Sequence, residues 1–260
     1  MNIRALVVTA RVAARQSLAD ASGLLFTAFL YLAVTAALGS LWRSAAGASG
    51  GAVAGYSAVA LTWYIATSEA ATISLNARLI EQFGEDVASG GVATELLRPA
   101  SVVGLRVAAD LGRALPRLAV CAGVGLLLSR LAAGSPPDAG ALALAVPALV
   151  LAITCNVVAM HTFAAAAFWL RETRSTWFLY QKLVFVMGGM LLPLEVLPDG
   201  MAAVAWALPF TAMAYVPARI ASGHFEPHLL LVQLGWLAVL AALAAWVFAS
   251  GERRLQVVGG

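Results

Sequence analysis

At 260 residues, 62% of them hydrophobic and only 11% charged, with a mean hydropathy of +0.88, the chain lies far from soluble composition, in which about a quarter of residues carry charge. It is an integral membrane protein. A net charge of +3, scattered along the sequence, gives nucleic acid nothing to bind. The two cysteines, Cys121 and Cys155, fall in apolar runs, which argues against a disulfide framework or a zinc ribbon and for buried free thiols.

Residues 1–20 do not read as a signal peptide, because Arg4, Arg11 and Arg15 interrupt any apolar run of sufficient length. At about 100° per residue the three arginines fall within about 40° of one another, with Ile3, Leu6, Val7 and Ala10 on another side. This predicts an amphipathic helix lying in the membrane interface. Residues 24–42 carry no charge and approach the ~20 residues that cross a ~30 Å hydrocarbon core. A flexible outer loop at 44–51 leads to a second span at 52–71, with Glu69 near its inner end, either snorkelling to the interface or serving a transport path.

Residues 76–101 form the longest polar segment of the chain and carry Glu81, Glu85, Asp86 and Glu95. At helical spacing Leu79, Ile80, Phe83 and Val87 make an apolar stripe, with Glu81, Glu85 and Asp86 off it, until Gly90-Gly91 breaks the helix. A second short turn with Val92, Leu96 and Leu97 ends at Arg98-Pro99. Beyond it, Arg106, Asp110, Arg113 and Arg117 interrupt residues 102–117, and burying them in lipid would cost ~2.5–3.5 kcal/mol each. That part therefore meets water or other protein, and the third span is 118–133.

A Gly-Ser-Pro-Pro-Asp turn at 134–138 precedes a fourth span at 141–170, long enough to tilt or to bend at Pro147. Residues 171–174 make an inner loop, and 177–197 a fifth span with Lys182 near its inner end and Glu195 near its outer end. Residues 201–216 are apolar but short and divided by Pro209, so the 198–228 segment reads as an outer re-entrant hairpin. The sixth span is 229–249. Of the sixteen Lys and Arg residues, all but Arg43, Arg130 and Arg219 fall inside on this layout, which places both termini in the cytoplasm.

No catalytic or metal-binding set emerges. Gly47-Ala48-Ser49-Gly50 has the G-x-S-G of intramembrane proteases but sits in a loop, with no histidine in the last span to act as base. His224, Glu226 and His228 share no helical face because Pro227 intervenes, so a solvated loop is preferred over a metal site. His161 suits either a proton path or a helix-packing hydrogen bond. A phosphate-cradling loop needs a lysine after glycines, and the single lysine, Lys182, follows Gln181. ATP cannot be bound here in that manner.

The run Gly90-Gly91-Val92-Ala93-Thr94-Glu95-Leu96-Leu97-Arg98-Pro99 resembles the G-x-x-x-x-x-L-L-R-P signature of ABC type-2 transporter permeases. Gly189-Met190-Leu191-Leu192-Pro193 through Leu197-Pro198, then Leu208-Pro209-Phe210 and Tyr215-Val216-Pro217, resemble the family's fifth span and outer hairpin. The likeness covers essentially the whole chain. It implies an all-α membrane protein, one permease domain of six spans with a cytoplasmic coupling helix between spans two and three.

It also implies two permease subunits, paired as a homodimer or heterodimer in lipid, each docked on a separate nucleotide-binding ATPase that holds the ATP and magnesium. The coupling region would comprise Leu79, Ile80, Glu81, Phe83, Glu85, Asp86, Val87 and Arg98, with Arg171 and Arg174 as a lesser contact and Phe83 as the apolar anchor. The three acids suit a basic cleft rim or a solvated face alike. Importers carry E-A-A-x-x-x-G; Glu69-Ala70-Ala71 starts such a match, but Leu75 stands at the glycine, which leaves export. Other readings are an ion-coupled transporter using Glu69, His161 and Glu195, or a membrane scaffold. No residue pattern identifies a substrate.

Overall fold

A computed structural model describes residues 3–96, 101–134, 138–170 and 172–258. Eleven α-helices lie among them: α1 Ile3–Ala19, α2 Ala21–Ala48, α3 Ala58–Ile73, α4 Leu79–Ala88, α5 Gly91–Leu96, α6 Val102–Ala133, α7 Ala139–Ala164, α8 Arg174–Met187, α9 Asp199–Trp206, α10 Tyr215–Ala221 and α11 Pro227–Val258. Two-residue strands β1 (Ala52–Val53) and β2 (Tyr56–Ser57) pair antiparallel. Among the described residues this hairpin is the one departure from an all-helical protein.

Among the described residues, four helical stretches are long and apolar enough to cross a membrane: Ala21–Ala48, Val102–Ala133, Ala139–Phe168 and Pro227–Arg254. They correspond to the first, third, fourth and sixth expected spans. The second and fifth are shorter, since α3 has sixteen residues and α8 fourteen, below the ~20 a full crossing needs. For α3 the reason is the hairpin. Ala54 (φ 49) and Gly55 (φ 86) both adopt left-handed backbone, as a two-residue turn between antiparallel strands requires, so the helix starts at 58 rather than 52. Its residues from Ala60 to Ala71 are all buried, which places it inside the protein. α8 ends instead at Gly188-Gly189, where Gly189 turns to φ 65, and residues 199–221 form the short α9 and the buried α10.

Helix boundaries follow local chemistry. Asp20 separates α1 from α2 by accepting the Gly23 amide (3.0 Å) and the Ser22 hydroxyl (2.9 Å), bonds that hold its carboxyl below the usual range. Ser57, Ser101 and Asp138 cap α3, α6 and α7 in the same manner. The loop expected at 44–51 is largely the last turn of α2. α7 passes through Pro147 without ending.

Buried polar side chains tie the helices together. Tyr31 donates to the Ala66 carbonyl (2.7 Å), Gln233 to the Ala148 and Ala212 carbonyls (2.9 Å each), and Tyr180 to the Asn156 side chain (2.7 Å). Within an apolar bundle, each satisfies a group that would otherwise cost ~1–3 kcal/mol. α1 packs along α6, and it does so closely. A Cβ at Gly112 would lie 2.2 Å from the Ala10 carbonyl oxygen, a backbone atom that cannot rotate away.

Gly112→Ala is therefore expected to push α1 off α6 and cost about 1–3 kcal/mol, seen as a lower midpoint in a thermal melt of the purified protein. Gly123→Ala on the same helix, where nothing lies within 4 Å of the added carbon, should leave the midpoint unchanged.

Candidate functional site

The polar segment expected to meet a partner folds as α4 and α5, at the end of the bundle that also gathers α1, the start of α6, the end of α7 and the end of α11. At ten residues, α4 is too short to be stable alone in water and holds its shape by packing. Leu79, Ile80 and Phe83 are buried. The Phe83 ring meets Phe168 and Phe248 edge-on, with centroids 5.6 and 5.4 Å away, and those two rings lie 5.7 Å apart. This aromatic cluster joins α4 to the turn after α7 and to α11. It corrects the expectation for Phe83, which is 1% exposed and serves the chain's own core instead of offering an anchor. The stripe seen in the sequence is real, but its nearest apolar surface is its own protein.

The polar face of α4 remains outside. Arg78 lies 3.7 Å from Glu81 and 3.4 Å from Glu85, exposed pairs of little energetic weight. Gly84 sits against Thr173, where a Cβ would come within 2.2 Å of the hydroxyl oxygen. Beside that contact, Arg78, Glu81, Gly84, Glu85, Ala88, Glu172, Thr173 and Arg174 line an open groove of about 590 Å³. The structure thus brings Glu81, Glu85 and Arg174 to one surface, with Leu79, Ile80 and Phe83 beneath it. Arg98 and Arg171 lie outside the described residues.

Asp86 points elsewhere, to Arg106 (2.8 Å). Arg106 also holds Glu95 of α5 through two bonds of 2.8 and 3.0 Å and lies over the Phe83 ring at 4.9 Å. One turn along α6, the carboxylate of Asp110 takes Arg113 (2.6 Å) on one oxygen and His161 Nε2 of α7 (2.9 Å) on the other. The Ser17 hydroxyl of α1 donates to the Arg113 carbonyl (3.1 Å). The charges of Arg106, Asp110 and Arg113 thus meet protein, as their cost in lipid demands. Sequence reasoning missed this set; its signal was the 106, 110, 113 spacing, which aligns three charges on one helical face.

The three acids and bases expected of an ion-coupled path do not converge. His161 makes the helix-packing bond to Asp110. Glu195 lies in a network at the opposite end, where one of its oxygens accepts from Arg219 (2.7 Å), Tyr215 (2.6 Å) and Tyr56 (3.1 Å), while Arg219 also reaches Glu226 (2.6 Å). Glu69 is fully buried in α3 with neither carboxylate oxygen hydrogen-bonded. His224 stacks near Tyr56, with ring centroids 4.5 Å apart, and His228 pairs with Glu226 at 3.3 Å.

A family model described as an ABC-2 family transporter protein matches residues 29–259. No curated protein matches the chain.

The aromatic cluster yields a direct test. Phe83→Ala is expected to cost about 3–5 kcal/mol, as for large buried aromatics generally, and to lower the thermal midpoint of the purified protein markedly. Glu85→Lys, at a side chain 68% exposed, should leave the midpoint within the error of the melt.

Proposed function

Because the chain belongs to the ABC-2 family of transporter proteins, we propose that it is the membrane-embedded permease subunit of an ATP-driven exporter in a bacterial inner membrane. Family membership over nearly the whole chain is the observation that carries this reading. Members of the family are transporter components and not themselves catalytic. ATP and magnesium then belong to a separate nucleotide-binding subunit, consistent with a chain that has no phosphate-cradling lysine. A second permease subunit, identical or homologous, completes the pathway. In this reading α3, enclosed by protein from Ala60 to Ala71, and α8, ended by Gly188-Gly189, are the second and fifth of six spans, and residues 198–228 form the outer re-entrant segment.

The arginine distribution supports a cytoplasmic α4 end. Arg4, Arg11, Arg15, Arg78, Arg106, Arg113 and Arg174 lie there, whereas Arg43, Arg130 and Arg219 lie towards the other. On that side the ATPase meets the groove between α4 and residues 172–174, through the half-buried Glu81 and the exposed Glu85 and Arg174. Nucleotide binding brings the ATPase subunits together, α4 moves with them, and the paired permeases alternate between inward and outward access. The work of the chain is mechanical. An ion-coupled path has weaker support, because Glu69, His161 and Glu195 stand in three separate surroundings.

Purification with the ATPase co-expressed tests the assignment. The wild-type chain is expected to retain that subunit, and Glu81→Arg combined with Glu85→Arg to lose it without a change in thermal midpoint. Retention of the ATPase by the charge-reversed protein would place the contact elsewhere. Orientation is read separately in a chain lacking Cys121 and Cys155. Cysteines placed at Ser49 and His228 should react with an impermeant maleimide from outside intact cells, and one at Glu85 should not.

A further inference from the structure

We infer that Arg106 is the joint that makes the α4–α5 segment and α6 move as one body. This rests on the coupling role proposed above for α4, and the geometry supplies what that role lacks. A helix pushed by a partner must be attached to the helices that cross the membrane; α4 packs directly on α7, and its link to α6 is of another kind. Neither α4 nor α5 packs its backbone along α6, since α4 contacts α5, α7, the turn after it, and α8. Between α4, α5 and α6 lies a polar cavity of about 350 Å³, with Thr9, Asn76 and Gln82 among its walls. The guanidinium of Arg106 spans this gap.

The attachment is strong for physical reasons. Arg106 holds Glu95 of α5 with two parallel bonds and Asp86 of α4 with a third, and a planar fork that satisfies two carboxylates fixes direction as well as distance. Its side chain is 20% exposed, so salt screens these pairs less than surface ones. The same guanidinium caps the Phe83 ring at 4.9 Å, which ties the buried face of α4 to α6. Asp110, one turn further along, carries the connection to α7 through His161 (2.9 Å). A displacement of α4 therefore reaches α6 through the polar joint at Arg106, beside the packing that α4 makes on α7. Arg106 is a positioning residue, since it acts through α4 and α5 and is not itself part of the groove.

The test uses spin labels on cysteines introduced at Ala88 of α4 and Leu115 of α6, in a chain with Cys121→Ala and Cys155→Ala, reconstituted in lipid nanodiscs. The parent is expected to give a narrow distance distribution. Arg106→Gln should broaden it, and Arg106→Glu combined with Glu95→Arg, which re-forms an α5–α6 pair, should narrow it again. A second pair at Leu131 of α6 and Leu234 of α11 reads the far end of the bundle in the complex with the ATPase. There a non-hydrolysable ATP analogue should shift the parent distance, and Arg106→Gln should lose that shift while the ATPase stays bound and active. A narrow Ala88–Leu115 distribution in Arg106→Gln overturns the inference, and so does broadening at both pairs before nucleotide, which would mean general loosening. If the parent shows no nucleotide response, the coupling role itself fails, whereas the distance in the permease alone still reports on the joint.

Discussion

Charges inside an apolar helical bundle must find one another, and the first half of α6 concentrates that requirement. Arg106, Asp110 and Arg113 rise on one face of a helix that continues as a long apolar span. Each unpaired charge there would cost several kcal/mol. Their partners come from three other elements, Asp86 on α4, Glu95 on α5 and His161 on α7, while Ser17 of α1 bonds the Arg113 backbone carbonyl. The positions of these elements at one end of the molecule follow from satisfying a single helix face. The aromatic cluster of Phe83, Phe168 and Phe248 lies behind the charges, with the Phe83 ring under the Arg106 guanidinium.

The opposite end is held by different chemistry. Glu195 collects Arg219, Tyr215 and Tyr56 on one oxygen, joining the β1–β2 hairpin, the segment after α8 and α10, while Glu226 brings in the start of α11. Between the ends, hydrogen bonds from Tyr31, Asn156, Tyr180 and Gln233 cross an interior of small residues. The two ends thus differ in kind. One encloses its charges with tyrosines, and the other presents charged residues on an open groove beside a paired core. For a membrane protein of a transporter family, the second arrangement suits contact with a water-soluble partner, because the groove keeps its side chains solvated before the partner arrives.

Glu69 stands apart from both systems. It is enclosed in α3 with no hydrogen-bond partner, in surroundings where an unpaired polar group is costly. A helix covered by protein on all sides need not match the lipid thickness, so α3 can begin only after the hairpin.

Much of this was legible in the sequence. Low charge and long apolar runs dictate membrane helices whatever their packing, and four spans emerged where hydropathy placed them. The apolar stripe of Leu79, Ile80 and Phe83 was visible from helical spacing, as was the impossibility of leaving Arg106, Asp110 and Arg113 in lipid. Only the tertiary structure decided what those groups touch. Periodicity shows that a helix has an apolar face but not which surface covers it, so Phe83 read equally well as a partner's anchor and as core. Spacing aligns three charges but cannot supply Glu95, eleven residues away, or His161, fifty-one away. Such pairs form across folded distances, where the cost of an unpaired charge selects partners that local sequence does not record.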